Sequence, residues 1–225
     1  MPTVVLIRHG RSTANAEGVL AGRTEGVELD PTGETQAAGV AERVAGVEFA
    51  AVVSSPMLRC RRTAEVICPG RAVQTEERLT ECDYGTWSGT TLKALAEEPL
   101  WETVQRTPSR ARFPDGESLT EMSTRAVAAI RDWDARVDQE HGSDAVWLAV
   151  SHGDVIKAVL ADAFGMHLDL FQRIVVDPAS ASIVRYTAHG PMVLGTNISD
   201  RAFTSLLPAA NTAPGDEAVV GGRDA

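Results

Sequence analysis

Two histidines and two arginines in this sequence stand in short polar segments that each follow an apolar run. The segments are Arg8-His9-Gly10, Ser54-Ser55-Pro56 with Arg59 shortly after it, and Ser151-His152-Gly153. A neutral imidazole can act as a nucleophile, and guanidinium groups bind phosphate oxygens through paired hydrogen bonds. Two histidines and two arginines are hard to explain as packing alone, so these residue types predict an anion-binding site, provided that the fold brings the segments together.

The apolar runs before these segments predict the strands that must position them. Val4 to Ile7, Ala51 to Val53 and Val146 to Val150 are short and continuously apolar, which is typical of strands buried on both faces. Helical patterns lie between them, and this alternation predicts a largely parallel sheet covered by helices on both sides. Ligands of such sheets bind beyond the carboxyl ends of the strands, so we expect the three segments to converge there.

Local signals predict where the other elements begin. Asp30-Pro31 has the form of an N-cap with proline at the first helical position, and Ser118-Leu119-Thr120-Glu121 matches a capping box. The apolar segments Ile183 to Tyr186 and Met192 to Leu194 flank a turn and predict a late hairpin. We therefore predict an α/β fold: a three-layer αβα sandwich whose central sheet is mostly parallel and has an antiparallel edge strand.

The chain length suits one domain, which we place at residues 1–200. Residues 85–117 hold Gly, Pro, Trp and Arg with weak periodicity, and we interpret them as an insertion over the active site. Residues 201–225 are rich in Ala, Pro and Gly and contain few large apolar groups, so we predict a flexible C-terminal tail.

Charge and composition exclude several classes of partner. The chain has 31 acidic and 21 basic residues and a formal net charge of −10, which disfavours nucleic acid and anionic membranes. The apolar run at the N-terminus is too short for a signal peptide, and charge follows it. The three cysteines form no CxxC pair, which favours free thiols over a zinc site. We therefore expect a cytoplasmic protein without a nucleic-acid or membrane partner.

In four blocks that follow the family's order, the sequence resembles the histidine phosphatase superfamily, also called the phosphoglycerate-mutase-like family. The blocks are Arg8 to Asn15, Ser54 to Glu65, Leu79 to Gly89 and Ser151 to Gly153. The resemblance spans roughly residues 3–200 and implies the phosphoglycerate-mutase-like fold.

Carried over residue by residue, the resemblance implies a role for each site residue. His9 corresponds to the nucleophile that becomes phosphohistidine, and Arg8 and Arg59 correspond to the phosphate-binding arginines. His152 corresponds to a second histidine that contacts the phosphoryl oxygens, and Glu81 corresponds to the proton donor. The resemblance implies neither a metal ion nor a cofactor.

Two further residues, Asn15 and Ser12, correspond to groups near the phosphate. Glu76 and Glu77 are alternatives to Glu81, but the spacing Leu-x-Glu-x-x-x-Gly-x-Trp favours Glu81. A solvated loop carboxylate is the simpler interpretation of any of the three.

The chemistry sets further expectations for these groups. The second ring nitrogen of His9 should donate to a backbone carbonyl, because that fixes the tautomer. A protonated His152 would help the arginines to stabilise the charge of the phosphoryl group. The pKa of Glu81 should be raised by apolar cover from Tyr84 or Trp87, although the arginines oppose this.

The expected reaction is hydrolysis of a phosphomonoester of a small phosphorylated metabolite. The Gly85-x-Trp87-Ser88-Gly89 run is similar to the phosphatase branch, and Cys82 stands where cofactor-dependent mutases carry a basic residue. Tyr84 matches a mutase tyrosine, so a phosphoglycerate-type phosphomutase stays open. A non-catalytic phospholigand-binding protein and a two-histidine metal hydrolase are the alternatives of other classes.

Other residues could shape the substrate pocket or an interface. The loop Phe113 to Ser118 resembles one that flanks the pocket in several small phosphatases, and it could also merely begin a helix. The late hairpin could serve as a homodimer edge. Four basic residues could contact an acidic substrate or could be ordinary surface charges: Arg11, Arg23, Arg62 and Lys93.

Overall fold

The structure is a computed structural model that describes residues 2–199 of the chain. The tail predicted for residues 201–225 lies outside the described residues, and the domain boundary at residue 200 stays a prediction. No helix among the described residues is long and apolar enough to cross a bilayer.

Within residues 2–199 six strands form one sheet, in the order β3-β2-β4-β1-β5-β6. The strands are β1 (Thr3–Arg8), β2 (Phe49–Ser54), β3 (Gln74–Thr75), β4 (Val146–Ser151), β5 (Ala181–Thr187) and β6 (Gly190–Ile198). The first four strands pair in parallel, and β4 lies between β1 and β2. The carboxyl ends of the three strands that precede the polar segments therefore lie side by side.

The antiparallel part of the sheet is the predicted late hairpin. Strand β5 runs antiparallel to β1, and β6 pairs antiparallel with β5 and forms the edge. The predicted α/β class with a mostly parallel sheet is confirmed, and the antiparallel edge consists of a hairpin rather than of one strand. The sequence did not predict β3, because two exposed residues are too few to show a pattern.

Helices cover both faces of the sheet. They are α1 (Thr13–Ala16), α2 (Pro31–Arg43), α3 (Leu58–Ile67), α4 (Leu92–Leu95), α5 (Pro99–Arg106), α6 (Leu119–His141) and α7 (Gly153–Ala163). Alternate residues of β4 face opposite ways: Trp147 belongs to the core with α6 and α7, whereas Leu148 belongs to the core with α2 and α3. This alternation explains why β4 is continuously apolar, since both of its faces are buried.

The predicted helix starts are confirmed by side-chain hydrogen bonds. Asp30 Oδ1 accepts from the Gly33 amide of α2 at 2.7 Å. Ser118 and Glu121 form the full capping box at the start of α6. Such caps satisfy amide groups that the helix itself cannot pair, and each contributes about 1 kcal/mol.

Residues 85–117 have a buried apolar centre that the sequence pattern did not show. The ring of Trp87 lies 5.3 Å from that of Phe113 and 6.2 Å from that of Trp101, centroid to centroid. The helices here have only four and eight residues, which is too short for a clear periodicity. This region pairs with the chain before α2, since Leu20 donates to the Thr90 carbonyl at 2.9 Å.

Candidate active site

The parallel register brings the two histidine-bearing segments together. Arg8, the last residue of β1, is paired with Ser151, the last residue of β4. The amide of His9 then donates to the Ser151 carbonyl at 3.0 Å. As a result the rings of His9 and His152 meet edge to face with centroids 5.3 Å apart, and both side chains are buried.

The ring of His9 is neutral, and its two nitrogens have different partners. Its Nδ1 lies 2.7 Å from the carbonyl oxygen of Gly10, so Nδ1 carries the proton and donates it, as the chemistry predicts. Its Nε2 accepts from Nε of Arg59 at 3.3 Å. Burial and the charges of Arg59 and Arg8 lower the pKa of His9 well below its usual value, although the bond to Gly10 opposes them. Nε2 is therefore unprotonated, and its lone pair faces the guanidinium of Arg59.

Gly10 is required by the closeness of α2. A Cβ atom on Gly10 would lie 2.5 Å from the carbonyl oxygen of Gly33. The Gly10 amide donates to Oγ1 of Thr63 at 3.1 Å, and that hydroxyl donates to the Arg59 carbonyl at 2.7 Å. These contacts fix the turn that carries His9 against the helix that carries Arg59.

Arg59, in the first turn of α3, joins the two histidines. Its Nη2 donates to the carbonyl of Gly22 at 2.8 Å and lies 3.2 Å from Nδ1 of His152. The side chain is 2% exposed, and its Nη1 is buried without a hydrogen-bond partner among the described residues. A buried cation is costly unless an anion pairs with it, so this guanidinium is suited to a phosphate oxygen.

Arg8 supplies the second positive charge from the end of β1. Its side chain is buried, and Nη1 donates to the carbonyl of Val176 at 2.9 Å. Its charge lowers the pKa of both histidines and of Glu81, although Arg59 lowers each of these more strongly. The site therefore concentrates positive charge within a chain whose net charge is −10.

His152 is the N-cap residue of α7 and is oriented by two neighbours. One ring nitrogen, Nε2, lies 2.8 Å from Oγ of Ser55, and the other, Nδ1, accepts from Arg59. Nε2 therefore carries the proton and donates it to Ser55. Burial, together with Arg59, His9 and Arg8, lowers the pKa of His152 well below its usual value. The expectation of a protonated His152 is wrong for this arrangement, because burial disfavours its charge and a third buried cation would be repelled by Arg59 and Arg8.

Glu81 lies at the edge of this centre, on the loop after a short 3-10 helix. Its Oε2 is 3.8 Å from Nδ1 of His152, and its Oε1 accepts from the amide of Cys82 at 2.9 Å. The side chain is buried, and burial together with the negative charge of Asp154 raises its pKa to about 7. The Cys82 amide and the arginines oppose this shift. The predicted direction of this pKa shift agrees with the structure, but the contribution of Asp154 was not predicted.

The alternative carboxylate Glu76 has a structural role. It accepts hydrogen bonds from Arg78 at 3.0 Å and from Nε1 of Trp133 at 2.9 Å, so it fixes the loop against α6. Tyr84, which was expected to cover Glu81, donates its hydroxyl to Oδ2 of Asp154 at 2.8 Å. The structure thus places Glu81, rather than Glu76, beside His152.

Ser12 and Asn15 hydrogen-bond to each other. The amide and the hydroxyl of Ser12 donate to Oδ1 of Asn15 at 3.1 and 2.8 Å, and the Asn15 amide donates back to Oγ of Ser12 at 3.2 Å. This reciprocal pair caps α1. It occupies Oδ1 and the backbone amide of Asn15, so the side-chain nitrogen Nδ2 is the group of Asn15 suited to a phosphate oxygen.

The four basic residues that could meet an acidic substrate have different surroundings. Arg11 donates to Oδ2 of Asp30 at 2.7 Å, and Arg62 pairs with an exposed glutamate of α2. Lys93 is exposed on α4. Arg23 alone among them contacts a site residue, since its Nε donates to the carbonyl of Glu81 at 3.0 Å.

Ser55 and Asp154 are the neighbours that sequence reasoning missed. In the sequence Ser55 stands in the polar segment after a predicted strand, and Asp154 directly follows the segment that holds His152. The one available signal was position, because each lies within three residues of a site histidine or arginine in sequence or across the sheet. Among residues 2–199 no three His, Cys, Asp or Glu side chains are grouped so that they could hold a metal ion.

Comparisons with known proteins agree with this geometry. The family model of the histidine phosphatase superfamily (branch 1) matches residues 4–199. A protein of Cronobacter sakazakii named "Probable phosphoglycerate mutase GpmB" is 34% identical over 214 residues, which cover 93% of this chain and 96% of that protein. The resemblance seen in the four sequence blocks is confirmed.

Two phosphatases are also similar to the chain. A 2-carboxy-D-arabinitol-1-phosphatase of Triticum aestivum is 31% identical over 189 residues, which cover 82% of this chain and 37% of that protein. The crystal structure of a phosphoserine phosphatase variant of Entamoeba histolytica with phosphoserine has a TM-score of 0.78 and 25% identity, covering 89% of this chain and 98% of that one. The relatives therefore include both a mutase and phosphatases.

Proposed function

Since this chain belongs to the histidine phosphatase superfamily, we propose that it is an enzyme that hydrolyses phosphomonoesters of small metabolites through a phosphohistidine on His9. The observation that carries the proposal is the state of the His9 ring. Its Nδ1 proton is committed to the Gly10 carbonyl, and its unprotonated Nε2 lies beside the buried guanidinium of Arg59. A nucleophile and its anion-binding partner are thus held together before the substrate arrives.

In the first step Nε2 of His9 attacks phosphorus and the ester bond breaks. The nitrogen–phosphorus bond forms as the phosphorus–oxygen bond to the leaving group breaks, and the leaving oxygen takes a proton from Glu81. Arg59, Arg8 and the N-terminal end of α7 stabilise the negative charge on the oxygens of the transferring group. With a pKa of about 7, Glu81 is protonated in a large fraction of molecules at neutral pH.

In the second step water replaces His9 on phosphorus. The Glu81 carboxylate takes a proton from the water as its oxygen attacks, and the nitrogen–phosphorus bond breaks to release inorganic phosphate. His9 regains its unprotonated Nε2, and Glu81 regains its proton. The cycle needs no redox change and no group beyond the side chains named.

Hydrolysis is favoured over transfer by the surroundings of Tyr84. The tyrosine that matches a mutase residue is fully buried and donates to Asp154, so its hydroxyl is committed away from the substrate. The mutase reading is kept because the Cronobacter relative bears a mutase name. Reaction with a phosphoglycerate distinguishes the two: free phosphate supports hydrolysis, whereas an isomerised phosphoester as the main product would make the enzyme a mutase.

Trapping of the phosphoenzyme tests the mechanism directly. A burst of labelled substrate followed by acid-free denaturation should leave label on His9 that acid removes and alkali does not. His9→Ala should abolish both the label and phosphate release, lowering kcat/KM by at least about 10⁴-fold. A His9→Ala protein that still turns over substrate at near the normal rate would refute the proposal.

We further propose that the reaction needs no metal ion, that the protein acts in the cytoplasm, and that it forms a homodimer through β6. Full activity in excess chelator would support the proposal that no metal ion is needed, and inactivation would overturn it.

The free thiols Cys60, Cys68 and Cys82 suit a reducing compartment such as the cytoplasm. Strand β6 exposes Met192 and Leu194 at the sheet edge, which suits pairing with a second copy of the chain. Sedimentation of the Leu194→Lys variant beside the unchanged protein tests whether this dimer forms.

A further inference from the structure

The main-chain carbonyl of Glu81 accepts hydrogen bonds from charged side chains of two other parts of the molecule. The carbonyl of Glu81 accepts from Arg23 at 3.0 Å and from Nη2 of Arg125 at 3.1 Å. We propose that Glu117 and Arg125 are positioning residues that fix the peptide of Glu81 and thereby aim its carboxyl group at the leaving oxygen. This inference rests on the proposed role of Glu81 as proton donor.

Arg125, on α6, binds three carbonyl groups within residues 78–81. Its Nη1 donates to the carbonyls of Arg78 and Thr80 at 2.6 and 2.7 Å, and its Nη2 donates to that of Glu81. A single planar guanidinium thus satisfies three carbonyl groups at the end of the short 3-10 helix (Glu77–Leu79) and in the loop that follows it. The loop is consequently tied to the longest helix of the described chain.

Glu117 holds that guanidinium in place from the other side. Its Oε1 accepts from Nη2 of Arg125 at 2.5 Å and from the amide of Asp83 at 2.9 Å, and its Oε2 accepts from Nε of Arg125 at 3.0 Å. Burial opposes ionisation of Glu117, but the bonds from Arg125 and Asp83 outweigh it and lower the pKa. Glu117 is therefore a carboxylate at neutral pH and neutralises the arginine that it orients.

Arg23 connects this network to the phosphate-binding arginine. Its Nη2 donates to Oε1 of Glu117 at 2.9 Å, while the preceding residue, Gly22, accepts from Arg59 through its carbonyl at 2.8 Å. Two consecutive residues thus fix the distance between the phosphate site and the peptide of Glu81. Glu81 itself is not on the sheet, but Oγ of Ser151 at the end of β4 donates to the Leu79 carbonyl at 2.8 Å and so also ties this loop to the sheet.

The loop around Glu117 packs too closely on that of Glu81 to move independently. The Glu117 amide donates to the Asp83 carbonyl at 2.9 Å. Gly85 has a φ of +53°, and a Cβ atom there would lie 1.9 Å from the carbonyl oxygen of Pro114. The Phe113 to Ser118 loop therefore both begins α6 and carries the residue that orients Arg125.

Positioning matters because the Glu81 carboxyl group has few contacts of its own. Its Oε1 accepts a hydrogen bond from the amide of Cys82, and its Oε2 lies 3.8 Å from Nδ1 of His152. A shift of its peptide would move the acid out of line with the leaving oxygen, and displacements of about 1 Å can cost a hundredfold in rate.

The test compares two substrates whose leaving groups differ in their need for a proton. Phosphoserine releases an alkoxide that must be protonated, whereas p-nitrophenyl phosphate releases a stable phenolate. We use kcat/KM, because it reports the first chemical step and excludes hydrolysis of the phosphohistidine. Glu117→Gln keeps the size and shape of the side chain but replaces one of its two acceptor oxygens with an amide group. It should therefore lower kcat/KM for phosphoserine roughly tenfold to a hundredfold. For p-nitrophenyl phosphate the loss should stay below about threefold.

Glu76→Gln is the matched control. Glu76 has the same 15% side-chain exposure as Glu117 and also binds an arginine, but that arginine, Arg78, donates to Asp132 rather than to the Glu81 carbonyl. It should lower stability without changing the ratio of the two kcat/KM values. Arg125→Lys, which keeps the charge and loses the fork, should change the ratio in the same direction as Glu117→Gln, and it serves if Glu117→Gln is poorly folded.

Glu81→Gln separates failure of this inference from failure of the proposed function. It should change the substrate ratio more than Glu117→Gln does. If Glu81→Gln slows both substrates equally, the assignment of Glu81 as proton donor is wrong. If Glu81→Gln is selective but Glu117→Gln and Arg125→Lys slow both substrates equally, Glu117 and Arg125 are merely structural and the inference is overturned.

Discussion

The sheet side and the loop side of the active site hold their residues by different means. On the sheet side, backbone pairing between β1 and β4 sets the positions of His9 and His152. The register pairs Arg8 with Ser151, so the residues that follow them lie side by side. On the loop side, Glu81 is placed by side chains of Arg125 and Arg23, which reach its carbonyl from distant segments. The sheet side is rigid by construction, whereas the geometry of the loop side can be altered one side chain at a time.

This difference fits the two tasks of the site. Binding and attacking a phosphoryl group is the same chemistry for every phosphomonoester, so a fixed arrangement serves it. Protonating the leaving group depends on the substrate, since its oxygen lies at the boundary between phosphate and metabolite. Because side-chain contacts rather than strand pairing hold the Glu81 loop, substitutions there can shift the acid while the β1–β4 pairing that holds His9 stays intact.

Arg59→Lys should produce the largest effect and tests the rigidity of the sheet side. Lysine cannot reach His9, His152 and the Gly22 carbonyl together as the guanidinium does, so kcat/KM should fall by about 10²- to 10³-fold for both substrates. Arg62→Lys is the control, because Arg62 follows on the same helix but pairs with an exposed Glu34. Steady-state kinetics check both variants, and a loss confined to phosphoserine would contradict the division into two sides.

The sheet side was predictable because its signal is local. Each apolar run indicates a buried strand, and parallel pairing places polar residues such as His9 and His152 at one edge. The prediction of a protonated His152 failed because its charge depends first on burial and then on the proximity of Arg59 and Arg8, and both follow only from the folded structure.

The loop side was only partly predictable, for the opposite reason. Glu81 was found through a family resemblance and its spacing to Trp87, not through a pattern of its own. The contacts that place it join Arg125 to Glu81 across 44 residues and Tyr84 to Asp154 across 70 residues of sequence. No local periodicity records such pairs, so Asp154, Glu117 and Arg125 could not be recognised from the sequence.

Asp154→Asn should produce a smaller effect than Arg59→Lys. It should change the pH dependence of kcat/KM through Glu81, on the loop side. After burial, the charge of Asp154 is the main cause that raises the pKa of Glu81 to about 7, against Arg59 and Arg8, which lower it. Removing that charge lowers this pKa. Because Glu81 must be protonated to donate, kcat/KM for phosphoserine should then begin to fall at a lower pH than in the unchanged enzyme.

The pH profile needs two comparisons. Asp162→Asn removes a charge from the far end of the same helix, where Asp162 pairs with Arg131, and should leave the profile unchanged. With p-nitrophenyl phosphate the alkaline fall in kcat/KM should be weak in every variant, since the leaving group needs no proton. An alkaline limb that stays in place in Asp154→Asn would show that another group controls it.

Tyr84→Phe should produce the smallest effect on catalysis and decides what this residue does. The hydroxyl of Tyr84 is fully buried and donates to Asp154 at 2.8 Å, so its loss leaves a buried carboxylate with one donor fewer. The free energy of unfolding should fall by about 1–3 kcal/mol, while KM changes less than about twofold. Thermal unfolding and steady-state kinetics measure the two quantities.

The chain contains a matched control for this substitution in its second tyrosine. Tyr186 is also buried, but its hydroxyl has no hydrogen-bond partner among residues 2–199, so Tyr186→Phe should leave the free energy of unfolding unchanged or slightly raise it. A large rise in KM for Tyr84→Phe without loss of stability would mean that its hydroxyl reaches the substrate. The mutase interpretation would then regain the support that the buried contact with Asp154 removes, and the loop side would contain a substrate ligand rather than only positioning contacts.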